Sequence, residues 1–115
     1  MSAESRDIFS VSRLNMEIRS ALENSFPLLW VTGEISNLAA PRSGHLYFSL
    51  KDASAQVRCA MFRNRNMLVK GKPENGMQVL VRARIGLYEA RGEYQLIIAY
   101  LEHHGPGELQ VAFET

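Results

Sequence analysis

The sequence lacks most of what small stabilised or catalytic frameworks are built from. It holds one cysteine, Cys59, so no internal disulfide can form and a cysteine-based zinc site has no ligands. That usage fits a reducing, cytoplasmic setting. No apolar run approaches the roughly 20 residues that cross a bilayer as a helix, and Met1 to Asp7 is polar and mixed in charge, unlike a signal peptide. There is no glycine-rich phosphate loop ending in Lys-Ser/Thr. The acids are dispersed without a paired motif, and neither Ser25 nor Ser43 sits in a nucleophile signature. His103 and His104 beside Glu102 come nearest to a metal cluster. Adjacent strand residues point to opposite faces, however, and no third ligand has suitable spacing. The sequence therefore predicts no catalytic residue, no metal and no cofactor in this chain, and no membrane partner.

What is present is a core and an uneven distribution of charge. In a chain of 115 residues, 46% hydrophobic composition is enough for one compact domain and leaves no room for two. Net charge is +1, which favours no partner by itself. Residues 42 to 91, however, carry ten basic and three acidic side chains, a net of +7 that leaves −6 for the rest. Ten of the 13 basic residues are arginine. Arginine forks onto phosphate and stacks on bases, so the bias favours nucleic acid over a merely solubilised surface.

Residues 1–9 read as a flexible lead-in. Ser10 or Ser12 can cap a helix in which Val11, Leu14, Ile18, Ala21 and Leu22 recur at three- and four-residue spacing, and Pro27 closes the region. The apolar stripe is expected to lie as a lid on the end of a barrel, with partner binding as the alternative. From Leu29 the period becomes two. Leu29, Val31, Gly33 and Ile35 face inward in a first strand ending at Ser36. Pro41 to Gly44 is a turn. Leu46, Phe48 and Leu50 face inward in a second strand (His45 to Lys51), with His45, Tyr47, Ser49 and Lys51 outward. Asp52 to Ala55 reverses the chain. Val57, Cys59 and Met61 face inward in a third strand (Gln56 to Phe62), with Gln56, Arg58, Ala60 and Phe62 outward. Arg63 to Val69 reads as a short helix or loop. The fourth strand, Met77 to Tyr88, turns Val79, Val81, Ala83 and Ile85 inward, and Gly86 is read as a bend or bulge. The fifth, Tyr94 to Glu102, is apolar on both faces in its middle.

Five strands with a helical insert between the third and fourth predict an all-β fold with short helices. It is the partly open Greek-key barrel called the OB-fold, preceded by an amphipathic helix. Such barrels bind oligonucleotides on strands two and three and on the loops joining strands one to two and four to five. Those places hold Arg42, His45, Tyr47, Lys51, Arg58, Phe62, Arg63, Arg65 and Arg91, which are the candidate nucleic-acid-binding residues. Cations track the phosphates and rings stack unpaired bases, with little sequence preference. Each has a blander reading: Tyr47 and Phe62 packed beneath a loop, Arg58 merely solvated, His45 a turn residue. Trp30 is expected to seal the helix against the barrel. Glu34 is read either as pairing with an arginine or as accepting from a base. Arg82 and Arg84 are placed on the far side.

Several strings in order resemble one family. They are Trp30-Val31-Thr32-Gly33-Glu34-Ile35-Ser36-Asn37, Ser43-Gly44-His45-Leu46-Tyr47-Phe48-Ser49-Leu50-Lys51-Asp52 and Gln56-Val57-Arg58-Cys59-Ala60-Met61-Phe62. Later come Val79 to Arg84, Leu87-Tyr88-Glu89, Arg91 to Leu96 and Leu109-Gln110. From about Phe9 onward the chain resembles the N-terminal domain of the large subunit of bacterial exodeoxyribonuclease VII. The resemblance implies a cytoplasmic enzyme that degrades single-stranded DNA to oligonucleotides together with a small helical subunit. It also implies a domain at 10–104 that holds the substrate, a linker beginning at 105–115, and a nuclease centre in a following domain. The alternatives are an anticodon-type OB domain that binds RNA and a protein-interaction barrel.

Overall fold

The computed structural model describes residues 6–66 and 72–104. Helix α1 runs Val11–Ser25, and Ser10 caps it by accepting the Arg13 N–H on its Oγ at 3.1 Å. Pairs one turn apart support it, Arg13 with Glu17 at 2.8 Å and Arg19 with Glu23 at 3.1 Å. It ends at the extended Phe26, whose N–H still reaches Leu22 O, and Pro27 follows.

The expectation of an apolar lid is not met. No residue of α1 is buried, and Val11 remains 75% exposed, with Leu14 and Ile18 exposed too. The helix lies beside the fourth strand and is held by polar contacts. The Asn15 amide donates to Glu89 O at 2.8 Å, and Arg19 pairs with the Glu89 carboxylate.

The strands are β1 (Leu29–Ala39), β2 (Leu46–Lys51), β3 (Gln56–Met61), β4 (Gln78–Tyr88) and β5 (Glu93–His103), with the short helix α2 (Arg63–Asn66) after β3. They close a barrel in the order β1-β2-β3-β5-β4. All ladders are antiparallel except β3 with β5, which run parallel and pair at two positions, Cys59 with Leu96 and Ala60 with Ile97. The expected inward faces fill the barrel. Ile35, Phe48, Leu50, Cys59, Met61, Val79, Val81, Ala83, Leu96, Ile98 and Leu101 form one buried cluster. Burial pushes the Cys59 thiol up to about 12, so at neutral pH it is a core group and no nucleophile.

Two outward residues are buried against expectation. Ser49 sits between Ser36 and Arg58, and Ala60 between Tyr47 and Ile97. Each is small and has a larger side chain beside it across the strand, Arg58 for Ser49 and Tyr47 and Ile97 for Ala60.

The irregularities also fall elsewhere than predicted. Gly86 pairs regularly with Gln95. The register slips instead between Arg82 opposite Tyr100 and Ala83 opposite Ile98, leaving Ala99 as the extra residue of a bulge in β5. That slip explains why the inward series runs Leu96, Ile98 and then Leu101. A second irregularity lets β1 continue to Ala39, past the predicted Ser36. Asn37 adopts φ 53°, which asparagine tolerates, and the Leu38 N–H donates to Asn75 Oδ1 at 2.9 Å.

Gly33 is required where β1 and β2 approach. A β-carbon there would lie 2.8 Å from Leu50 Cγ and 3.0 Å from the Lys51 carbonyl oxygen.

Candidate nucleic-acid interface

The outward faces of β2 and β3 and the β4–β5 turn converge on an open groove of about 570 Å³. One side is built by the β2–β3 hairpin. Tyr47 stands opposite the small Ala60, which leaves the ring's flank open, and Arg58 lies one cross-strand step along. Phe62 follows the last residue of β3. The other side is built by the β4–β5 hairpin. Its turn is closed by Arg91 and Gly92 N–H groups donating to Tyr88 O at 3.1 and 2.9 Å, with Gly92 at φ 67°. This turn lifts Tyr88, Arg91 and Tyr94 toward the groove. Four rings (Tyr47, Phe62, Tyr88, Tyr94) and two guanidinium groups (Arg58, Arg91) therefore line one cavity, with Glu93 and Gln95 beside them.

His45 organises the first side. Its ring meets Phe62 edge-on at 5.4 Å and Tyr47 at 6.4 Å between centroids, and its Nδ1 accepts the Arg63 N–H at 2.9 Å. The carbon stem of Arg63 lies over Gly44, where a β-carbon would meet Arg63 Cγ and Cδ at 3.0 Å. Gly44 itself turns at φ 89° and donates its N–H to Pro41 O. The turn before β2 and the start of α2 are thus packed together at one end of the groove.

The predicted residues divide accordingly. Tyr47, Arg58, Phe62 and Arg91 line the groove. His45 and Arg63 support its rim. Arg42 is exposed in the preceding turn. The side chain of Arg65 lies outside the described residues, as do the predicted linker and the end of the connector. Lys51 is elsewhere. It stands at the far end of β2 and lines two smaller cavities, of about 160 and 480 Å³, together with Asp52. Tyr94 borders both the main groove and the smaller of these, which links the two. The Asp52 carboxylate caps the β2–β3 turn, accepting from Ser54 N–H at 2.8 Å and Ala55 N–H at 3.0 Å. Those two bonds, Ser54 first, hold its carboxyl below the usual range.

Sequence reasoning missed Tyr88, Tyr94, Glu93 and Gln95. Their pairing within the hairpin was available, because residues flanking a tight turn face one another, as Tyr88 does Glu93 and Leu87 does Tyr94, but the closure of that hairpin against β3 was not.

Trp30 corrects another expectation. It is 53% exposed, meets Tyr100 edge-on at 6.1 Å and lies beneath the Arg82 guanidinium at 5.0 Å. It belongs to an outer β1–β4–β5 row, while the helix is tied to the β4–β5 turn through Glu89. Glu34 stands opposite Lys51 and Gln78 and, among the described residues, closes no ion pair with an arginine. Among the described residues no three metal-ligating side chains cluster, and no helix is long and apolar enough to cross a membrane.

The sequence model of the family described as "OB-fold nucleic acid binding domain" matches residues 9–102. The chain belongs to that family. The OB-fold domain is 58% identical over 99% of its length to the exodeoxyribonuclease 7 large subunit of Thioalkalivibrio sulfidiphilus, covering 26% of that protein. With the protein of the same name from Hahella chejuensis the figures are 61%, 92% and 24%. The chain thus spans about a quarter of the length of these curated relatives. Among solved structures, asparaginyl-tRNA synthetase from Pyrococcus horikoshii superposes with a TM-score of 0.57 at 14% identity, covering 76% of this chain and 21% of that one. That likeness is one of fold. The OB-fold domain is accordingly a nucleic-acid-binding domain that corresponds to one region of exodeoxyribonuclease VII large subunits.

Proposed function

We propose that this domain grips single-stranded DNA for an exodeoxyribonuclease VII large subunit. That cytoplasmic nuclease would act through residues beyond this chain and assemble with a small subunit. The observation that carries the reading is the groove that four rings line together with Arg58 and Arg91. Unpaired bases need flat apolar platforms, each worth about 1–3 kcal/mol, and phosphates need nearby cations. A duplex, whose bases are already stacked, offers those rings nothing. The 58–61% identity to large subunits of that name supports DNA rather than RNA as the polymer. The anticodon-type alternative has only fold similarity behind it.

The test is a fluorescence-anisotropy titration of a labelled single-stranded DNA at two salt concentrations. Duplex DNA and RNA of the same sequence serve as competitors. Salt-sensitive binding, resistant to both competitors and weakened by Arg58→Ala and Tyr47→Ala, is the expected result. Stronger competition by RNA would favour the anticodon-type reading. Binding indifferent to both substitutions would remove the groove from consideration.

A further inference from the structure

An acid stands among the cations of the groove. Glu93 opens β5 directly opposite Tyr88 and precedes Tyr94, and all three line the groove. It lines the same cavity as Arg58 and Arg91, yet among the described residues it closes no ion pair with either. Glu17, Glu23 and Glu89, by contrast, are each paired with an arginine. A surface that served phosphate alone would gain nothing from a free carboxylate, which repels the backbone.

Bases offer what phosphates do not. An ionised carboxylate is an acceptor without donors. The exocyclic amino group of cytosine donates to such an acceptor, and adenine and guanine carry amino groups as well. Thymine has none. Its pairing edge places a carbonyl on each side of the N3–H, and both oxygens are repelled by a carboxylate. A base stacked on Tyr88, the cross-strand partner of Glu93, would bring its edge toward that carboxylate. Gln95, two residues on and on the same cavity wall, carries both donors and an acceptor and so serves any base.

We propose that Glu93 is a base-selecting residue, favouring bases with an amino group, cytosine foremost, over thymine within the groove. The proposal rests on the single-stranded DNA reading above. It replaces the expectation of weak sequence preference with a preference at one position.

Anisotropy titrations of short oligo(dC) and oligo(dT) with the wild-type domain, Glu93→Gln and Glu93→Ala test it. The turn position is exposed, and circular dichroism checks that the variants fold. The wild type is expected to bind oligo(dC) about five- to tenfold more tightly than oligo(dT). Glu93→Gln should bring that ratio close to one, because the new amide can donate to thymine O4. Glu93→Ala should narrow it by loss of the acceptor. A wild type without preference overturns the proposal. So does Glu93→Gln tightening both polymers equally, which would make the carboxylate a repelling charge and no more. Failure of the wild type to bind either polymer overturns the single-strand reading itself, and the selection with it.

Discussion

The Arg63 backbone N–H donates to Nδ1 of His45 across 18 residues of sequence, at 2.9 Å. This bond ties the first residue of α2 to the entrance of β2. It also fixes the ring whose edges support Tyr47 and Phe62. His45→Ala removes the acceptor and both edge contacts together. A stability loss of about 1–2 kcal/mol is expected by urea denaturation. Single-strand affinity should fall with it, even though His45 lies behind the groove.

The two hairpins are expected to contribute differently to binding. Arg91→Ala should lower the slope of log affinity against log salt by about one. Tyr94→Ala should leave that slope unchanged while weakening binding by about 1–3 kcal/mol. Anisotropy across a salt series separates the two effects. A Tyr94→Ala variant with wild-type affinity would place the strand on the Tyr47 side alone.

Gly33→Ala is a stability prediction independent of any ligand. Its β-carbon would fall 2.8 Å from Leu50 Cγ and 3.0 Å from the Lys51 carbonyl. The flexible Leu50 side chain can retreat, but the backbone carbonyl cannot without disturbing the β1–β2 ladder. The expected cost is about 1–3 kcal/mol, read from a chemical denaturation midpoint.

Asp52 gives a pH dependence of definite sign. Its folded carboxyl titrates below the ordinary value of 3.8, because Ser54 and Ala55 N–H groups stabilise the charged form. The stabilisation is present above about pH 3.8 and is lost as pH falls through the lower folded value. Asp52→Ala should therefore destabilise the domain at neutral pH, with a penalty that shrinks in acid. Asp52→Asn, which keeps one acceptor oxygen, should cost less. Denaturation midpoints at neutral and acid pH decide it.

Cys59 has the opposite sign. Its thiol is raised from 9.0 to about 12 by burial, so its contribution is intact below pH 9 and is lost as pH rises toward 12. A thiol reagent at mildly alkaline pH should leave the folded domain unmodified and react on unfolding.

The inward faces of the strands were legible in sequence because a two-residue period can point to a core in only one phase. Phe48, Leu50, Val79 and Val81 follow that rule. The rule fails where both phases are apolar. Leu96 to Ala99 has no polar residue to mark a face, so the bulge at Ala99 left no trace and Gly86 looked the better site for one. The stripe on α1 was readable, but not what it would meet, because Glu89 holds the helix by polar atoms. Trp30 was misplaced for the same reason. For the groove, Tyr47, Arg58, Phe62 and Arg91 followed from strand phase and loop position. Tyr88 and Tyr94 required knowing that the β4–β5 hairpin closes against β3, a contact made between distant parts of the chain.

That closure is the shortest ladder of the barrel, two parallel positions between β3 and β5. Tyr47, Arg58 and Phe62 stand on one bank of it, and Tyr88, Arg91 and Tyr94 on the other. An oligonucleotide in the groove would span the seam and act as a clasp, drawing its two banks together. Binding energy would then be spent on shutting the molecule at its weakest join. The amides of Cys59, Ala60, Leu96 and Ile97 would exchange with solvent more slowly once the strand is in place.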